Sequence, residues 1–321
     1  MKIPALRLAL ALLTATAVPF AAAQDGYPNK PVRFVNNFPA GGPSDLLARS
    51  VAAVLQETLK QPFVVENKAG VAGNIGAADV ARAPADGYTV LFGIDTTFTV
   101  NPHLYGNMPF KRGDLKPLVV MASSGLLVGV NPATGIKNLA GMVEMAKTKG
   151  LNFSSAGSGS PGHLAVEVIK EATRAKITHV PYRGNTPAVT AVLSGEVDGG
   201  VLATPGMLPH VQTGKTTALA VTSRQRSRLA PELPTVAEAG LKSLEQEVLY
   251  IVMVPAATPD AVAQTLQKGI VEALKRPDVQ ARMTHLDLFF EGLTGAQASQ
   301  RLDALYNRYG PIVKATGMKV E

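Results

Sequence analysis

The sequence contains no cysteine and no tryptophan, and aromatic residues make up only 5% of its 321 positions. The absence of cysteine excludes disulfide bridges, thiolate metal sites, a cysteine nucleophile and an acylated lipoprotein cysteine. Charged residues are also few, at 17%, whereas 46% of the residues are hydrophobic, which excludes an intrinsically disordered chain. The core must therefore be built mainly from Ala, Val and Leu, and the length fits one large domain or two of moderate size.

The N-terminus carries the features of an export signal. Residues 1–23 contain two basic residues, then an apolar stretch over 8–20, and end in an A-x-A cleavage site before Gln24. The uncharged run is shorter than the roughly 20 residues that a membrane-spanning helix needs. We therefore predict that residues 1–23 are a signal peptide, cleaved near Ala23/Gln24, and that the product is exported without membrane insertion.

The basic residues do not form a nucleic-acid surface. The formal net charge is +7, and two of the basic residues belong to the predicted signal peptide. The densest remaining group is Arg224, Arg226 and Arg228, which has no interleaved aromatic residues on which bases could stack. We therefore predict no nucleic-acid partner.

Strand-like and helix-like segments alternate along the rest of the chain, which is typical of an α/β fold with doubly wound parallel sheets. The predicted strands lie at 32–38, 63–66, 88–93, 126–130, 152–155, 177–180, 199–202, 218–222 and 286–291. The predicted helices lie at 47–59, 75–83, 138–147, 163–173, 188–194, 259–275 and 296–316.

Two strand–turn–helix units, over 32–59 and 151–173, contain turns made of small residues. Where a helix begins directly after a strand, free backbone N–H groups and the positive end of the helix dipole face the same space. Glycine lets a ligand approach this backbone because it has no Cβ, and serine hydroxyls add donors. The residues concerned are Gly41, Gly42, Ser44 and Asp45 in the first turn and Ser155, Gly157, Ser158, Gly159 and Ser160 in the second. Such turns suit a carboxylate or a phosphate, and ordinary helix capping by Ser44, Asp45 or Ser160 is the alternative.

Other ligand motifs each lack a second required element. Residues 157–162 match G-x-G-x-x-G, but the next predicted strand and the residues after it, 177–183, lack the acidic residue that a dinucleotide site needs. The five histidines are scattered without metal-ligand spacing, and no G-x-S-x-G sequence marks a hydrolase nucleophile. We therefore predict no cofactor and no bound metal.

Short segments along nearly the whole chain resemble, in order and spacing, the extracytoplasmic solute receptors of tripartite tricarboxylate transporters, the Bug or TctC-like proteins. These segments include 27–33 (YPNKPVR), 38–45 (FPAGGPSD), 66–70 (ENKAG), 73–76 (GNIG), 86–89 (DGYT), 101–105 (NPHLY), 155–160 (SAGSGS), 180–184 (VPYRG) and 195–198 (GEVD). Each segment alone is a weak signal, and together they are specific.

The resemblance implies a periplasmic receptor of two α/β domains joined by a hinge, like the periplasmic binding proteins with their Venus-flytrap closure. Such a receptor is a monomer and not an enzyme, and it delivers a small carboxylic acid to a membrane permease. We expect a discontinuous domain I formed by residues 24–123 and 248–321, and a domain II formed by residues 124–247.

The resemblance also implies two walls of a ligand-binding cleft. The first wall comprises Phe38, Ala40, Gly41, Gly42, Ser44 and Asp45, assisted by Asn74, Asp95, Thr96 and Thr97. The second wall comprises Ser155, Gly157, Ser158, Gly159, Ser160 and His163, with Tyr182, Arg183 and Gly184. Of these residues, Asp45 is expected to cap its helix rather than touch the ligand.

An exported α/β hydrolase that acts on an organic acid is the alternative function. A receptor needs only hydrogen-bond donors and a shape, whereas a hydrolase needs a nucleophile, a base and an orienting acid within hydrogen-bond reach. The two are distinguished by whether His163 or His179 bonds both a serine in the cleft and a carboxylate.

The export signal gives a first testable expectation. The protein recovered from the periplasm of an expressing bacterium should begin at Gln24, because signal peptidase cleaves after small residues such as those at 21–23. Intact-mass spectrometry checks this, and a mass that still includes residues 1–23 would contradict it.

Overall fold

Strands and helices alternate along the computed structural model, which describes residues 26–318. The predicted signal peptide, residues 1–23, lies outside the described residues. The strands are β1 (Val32–Asn36), β2 (Phe63–Asn67), β3 (Thr89–Ile94), β4 (Leu115–Ser124), β5 (Leu126–Val130), β6 (Leu151–Ser155), β7 (Ile177–Pro181), β8 (Gly199–Ala203), β9 (Thr217–Val221), β10 (Val248–Pro255) and β11 (Phe289–Thr294). The helices are α1 (Pro43–Leu59), α2 (Asn74–Ala81), α3 (Thr96–Thr99), α4 (Asn101–Leu104), α5 (Leu139–Thr148), α6 (Pro161–Thr173), α7 (Asn185–Ser194), α8 (Thr204–Gln212), α9 (Asp260–Lys275), α10 (Pro277–His285) and α11 (Gly295–Thr316).

Helix α1 illustrates how the sequence sets an element and its buried face. Pro43 stands at its first position, where a missing N–H costs nothing and the fixed φ favours the helix. Leu47, Val51 and Leu55 recur every four residues and are fully buried, and the helix packs against β2 and α9. Lys60 ends it in the left-handed conformation, with φ of 56°. Within residues 26–318, none of the helices is long and apolar enough to cross a membrane.

The strands form two separate sheets. The first has six strands in the order β11-β4-β10-β3-β1-β2, and β1 lies parallel to β2 and β3. The second has five strands in the order β7-β6-β8-β5-β9, and β6 lies parallel to β7 and β8. Helices pack on both sheets, so the predicted α/β class is confirmed.

Both sheets are mixed, so the prediction of parallel sheets is wrong in this respect. Strand β10 runs antiparallel to β3 and β4, and β5 runs antiparallel to β8 and β9. The reason lies in the path of the chain, because β4 leads out of the first sheet and β10 leads back into it. The chain leaves the first sheet at the end of β4 and returns to it at the start of β10. Because these two points lie at the same end of the sheet, β4 and β10 must run in opposite directions.

Six elements were not predicted from the sequence. They are β4, β10, α8 and α10, together with the two four-residue helices α3 and α4. The strand predicted near 286–291 begins later, at Phe289, because α10 continues to His285 and Leu286 caps it. Asp287 then takes a left-handed φ of 55°, which turns the chain before the strand.

The chain passes between the sheets twice, and the two crossings lie side by side. Gly125 alone separates β4 from β5, and the return runs from β9 to β10. Thr222 joins the crossings, because its hydroxyl accepts from Leu126 N–H at 2.9 Å and donates to Gln246 O at 2.8 Å. The backbone N–H of Thr222 donates to Leu126 O, and that of Gln246 to Thr222 O, both at 2.9 Å. The exact domain limits given above stay a prediction.

Gly125 is needed at the outgoing crossing because the return chain approaches it closely. A Cβ at this position would lie 2.8 Å from the backbone nitrogen of Ser223. We expect Gly125→Ala to lower the free energy of unfolding by about 1–3 kcal/mol, the usual cost of overpacking. Urea denaturation measures this, with Gly113→Ala as the control because a Cβ at Gly113 meets nothing within 4 Å. Equal midpoints for the two variants would contradict the expectation.

Asp95 fastens the end of β3 to the return strand β10. The side chain is fully buried and accepts from Leu249 N–H at 2.9 Å and from the Thr99 hydroxyl at 3.0 Å. Burial raises the pKa of Asp95 from 3.8 to about 6, although these hydrogen bonds oppose the rise. The pKa of Asp95 is therefore higher in the folded protein than in the unfolded chain. Between about pH 4 and about pH 6 the folded protein binds this proton more tightly than the unfolded chain does.

The contribution of Asp95 to the free energy of unfolding should therefore fall as the pH rises from about 4 to about 6. Asp95→Asn removes this titration, so its stability relative to wild type should improve over that interval by on the order of 2 kcal/mol. Chemical denaturation at a series of pH values measures the effect. Asp260→Asn is the control, because the side chain of Asp260 is 88% exposed. A wild-type pH profile for Asp95→Asn would contradict the assignment.

Candidate functional site

A pocket of about 660 Å³ lies where elements of the two sheets face each other. It is lined by residues 38–44, 160–162, 183–187, 201–203, 205 and 206, with Leu46, Ile94, Leu126, Ala156, Val248, Tyr250 and Leu286. The first sheet and its helices supply residues 38–46, whereas the second supplies most of the opposite side. A volume of this size accommodates a small organic molecule.

Four helices begin at this pocket, and each follows directly after a strand. Helix α1 follows β1, α6 follows β6, α7 follows β7 and α8 follows β8. Their first residues line the pocket at 42–44, 160–162, 184–187 and 203–206, except for Thr204. The first N–H groups of a helix have no acceptor within the helix, and its dipole places partial positive charge there. The carboxyl ends of these strands therefore surround a space that favours an anion.

Asp45 stabilises the turn before α1 through hydrogen bonds to its carboxylate. Its carboxylate accepts from Gly41 N–H at 2.9 Å and from the Asn67 amide at 3.0 Å, and it pairs with Arg49 at 2.9 Å. Burial alone would raise the pKa of Asp45, but the hydrogen bonds from Gly41, Arg49 and Asn67 outweigh it and hold the pKa below its usual value. The structure therefore gives Asp45 the role of fixing the turn and places it outside the pocket lining.

The hydroxyl of Ser155 holds the second turn in the same way. It accepts from Gly157 N–H at 3.2 Å and from the Ser160 hydroxyl at 3.3 Å. It also lies 2.6 Å from Nε2 of His179, which is the shortest of these contacts. Ser155 is fully buried, so it supports the turn rather than lining the pocket.

Two stacked histidines lie behind this turn. The rings of His163 and His179 are 3.8 Å apart and 7° from parallel, and Nδ1 of His163 accepts from Gly159 N–H at 3.1 Å. Burial lowers the pKa of His163 to about 3, assisted by the neighbouring His179 and Lys170. Burial and Lys170 lower the pKa of His179 to about 4. Both rings are therefore neutral at pH 7 and act as hydrogen-bonding supports.

These contacts do not form a hydrolase relay. Within the described residues His179 bonds Ser155 but no carboxylate, and the ring of His163 lies 3.8 Å from Glu167 but bonds no serine hydroxyl. Neither ring therefore links a serine to an acid, as a Ser-His-acid arrangement requires. The hydrolase alternative is not supported.

Of the residues predicted from the sequence to bind the ligand, eight line the pocket. They are Phe38, Ala40, Gly41, Gly42, Ser44, Ser160, Arg183 and Gly184. The others lie outside the lining found in the described part of the chain. They are Asp45, Asn74, Asp95, Thr96, Thr97, Ser155, Gly157, Ser158, Gly159, His163 and Tyr182. The binding role of every one of these residues stays a prediction.

Several of the outlying residues meet in a separate contact between the two sides of the protein. A Cβ on Gly159 would lie 2.9 Å from Cβ of Ala72, so the second turn closely approaches the segment before α2. Asn74 accepts from the Asn101 amide at 2.7 Å, and the Thr97 hydroxyl donates to Ala72 O at 3.0 Å. The side chains of Asn74 and Thr97 are therefore bonded within the protein at this contact.

The sequence analysis missed the apolar part of the pocket. Ile94, Leu126, Val248, Tyr250 and Leu286 line it, and each looks in the sequence like any other core residue. The start of α8 was missed as well, although Pro205 near its first position is a signal that could have revealed it.

Comparison with known proteins confirms the predicted fold of two α/β domains of the periplasmic-binding-protein kind. The profile of the family described as "Tripartite tricarboxylate transporter family receptor" matches residues 47–318. The periplasmic binding protein BugD is 30% identical, with a TM-score of 0.82 over 92% of this chain and 100% of BugD.

Two further solved structures are similar and contain ligands. A protein of R. palustris with adipate is 29% identical, with a TM-score of 0.85 over 92% of this chain and 100% of that one. MatC from Rhodopseudomonas palustris, with bound malate, is 26% identical, with a TM-score of 0.81 over 89% of this chain and 100% of that one. The resemblance seen in the sequence is confirmed: the chain belongs to the tripartite tricarboxylate transporter receptor family and is a solute-binding protein.

Proposed function

We propose that the protein captures a small carboxylic acid in the pocket between its two sheets and delivers it to a membrane permease. The proposal rests on one observation: four helices begin at the same pocket. Each helix contributes about half a positive elementary charge at its N-terminus, together with N–H donors that have no acceptor within the helix. A carboxylate matches both the charge and the donors.

The charge of Arg183 also favours a carboxylate as the ligand. Among the described residues that line it, Arg183 is the one with a full charge, and it is exposed at the pocket's edge. An exposed guanidinium can form two parallel hydrogen bonds with a carboxylate without first losing much hydration. The relatives with bound adipate and malate support a carboxylate in particular.

The remaining parts of the proposal follow from the family. A receptor of a tripartite transporter works with a permease, and the predicted signal peptide would place it in the periplasm. Its two α/β domains would close over the ligand about the crossings at Gly125 and at 222–247. We propose that it acts as a monomer and without catalysis, because binding and release are sufficient for delivery.

A substitution at Gly42 tests the pocket without straining the backbone. Gly42 has φ of −77° and ψ of 167°, which any residue adopts, and an added Cβ would meet only Pro39 O at 3.5 Å. Gly41 is unsuitable because its φ is +79°. We expect Gly42→Val to weaken carboxylate binding by about tenfold or more, a loss of about 1.4 kcal/mol, while the unfolding midpoint stays near that of wild type.

The ligand is first found by a thermal-shift screen of mono-, di- and tricarboxylates, since a ligand at one hundred times Kd adds about 2.7 kcal/mol of stability. Isothermal titration calorimetry then compares wild type, Gly42→Val and the control Gly106→Val. Gly106 is exposed, lies outside the lining and has open space around an added Cβ. Wild-type affinity in folded Gly42→Val would refute the proposed pocket.

A further inference from the structure

We infer that the ligand is a carboxylate whose body is apolar, with neither a hydroxyl nor an ammonium group on it. This inference rests on the proposed function and adds the class of acid that the pocket accepts. It is carried by the contrast between the polar rim, where the helices begin, and the rest of the pocket.

The floor of the pocket is apolar and is built on strands next to the crossings. Ile94 and Tyr250 are direct partners across β3 and β10, Val248 begins β10, and Leu126 begins β5. Each is less than 9% exposed, as is Leu286 beside them. The hydroxyl of Tyr250 lies 3.3 Å from that of Ser124, so it already has a hydrogen-bond partner. An apolar group on this floor would displace water at no cost in hydrogen bonds.

The two serine hydroxyls of the lining are bonded within the protein, whereas the other polar side chains, those of Asn185 and Thr186, stand at the start of α7 on the rim. The Ser44 hydroxyl donates to the Asn36 amide oxygen, and the Ser160 hydroxyl donates to Ser155 and accepts from His163 N–H. Val201 and Leu202 line the side of the pocket between these groups. A hydroxyl on the part of the ligand that lies against the floor would therefore lose water without gaining an equivalent partner, which is unfavourable.

Three carboxylates that neighbour the lining in sequence are bonded within the wall. Asp45 follows Ser44 and is held by Gly41 N–H. Asp95 follows Ile94 and accepts from Leu249 N–H, while Asp287 follows Leu286 and accepts from the Ser227 hydroxyl at 2.9 Å. Each is less than 5% exposed.

Among the described residues no acidic side chain lines the pocket. An ammonium group would therefore enter it without a counter-charge, close to Arg183 and to four positive helix ends. Both the lost hydration and the repulsion act against such a ligand.

Matched acids test the inference by calorimetry on the wild-type mature protein. One series is hexanoate, 6-hydroxyhexanoate, 6-aminohexanoate and hexanamide, and the other is glutarate, 2-hydroxyglutarate, glutamate and glutaramide. In the series that binds, we expect the unsubstituted acid to bind at least about tenfold more tightly than its hydroxyl and amino analogues.

The outcomes separate the two proposals. If the hydroxyl analogue or the amino analogue binds as tightly as the unsubstituted acid, the inference of an apolar body is overturned. The proposal that the protein is a carboxylate receptor is then unaffected. If an amide binds as tightly as its acid, or if no acid of a broader screen binds, the proposed function fails and this inference fails with it.

A pair of substitutions on β10 tests the floor directly. Val248 lines the pocket, whereas Val254 is buried on the same strand outside the lining. We expect Val248→Thr to weaken the binding of the unsubstituted acid by about fivefold, because a polar group then faces the apolar body of the ligand. The ratio of its affinity to that of the hydroxyl analogue should also decrease. Val254→Thr should leave both affinities unchanged. An unaltered preference in folded Val248→Thr would overturn the assignment of the floor.

Discussion

The rest of the structure depends on the bonds that Thr222 makes at the place where the chain crosses between its sheets. One hydroxyl accepts from Leu126 N–H on the outgoing crossing and donates to Gln246 O on the return, and the backbone adds two further hydrogen bonds. These bonds keep the crossings side by side. The strands that continue from them therefore run antiparallel, which makes the first sheet mixed. The same adjacency brings the starts of β5 and β10 into one floor, from which the two sides of the pocket rise.

A second consequence is the way in which the pocket obtains its positive potential. Parallel neighbours such as β6, β7 and β8 end at the same edge, and each is followed by a helix whose first residues reach the pocket. Oriented N–H groups cost less in desolvation than buried lysines or arginines would, because they carry only partial charges. This accounts for a pocket in which, among residues 26–318, Arg183 alone supplies a full charge, in a chain that has few charged residues overall. The turns themselves are braced by two neutral histidines and by the carboxylate of Asp45, which are not among the residues that line the pocket.

Much of this arrangement was predictable from local sequence. The alternation of strands and helices is visible in the spacing of apolar residues, and the strand at 126–130 was predicted with its observed limits. Glycine and serine between a strand and a helix marked the turns at 38–45 and 155–160. Direction and adjacency of strands were not readable, because β10 looks the same whether it runs parallel or antiparallel to β3. Nor could the sequence separate Gly42, which lines the pocket, from Gly159, which packs near Ala72. That difference depends on contacts between residues far apart in the chain.

The position of the apolar floor links ligand binding to the crossings. Leu126 donates its N–H to Thr222, and Val248 lies two residues after Gln246, which accepts from the same hydroxyl. A ligand bound as proposed would place its carboxylate among the helix starts and its body against both crossing segments. The helix starts lie on the two sides that would move in the proposed closure, whereas the floor would lie near the axis of that motion. The body would then fix the position of the acid while the carboxylate draws the two sides together, so that shape and charge would act on different steps of capture.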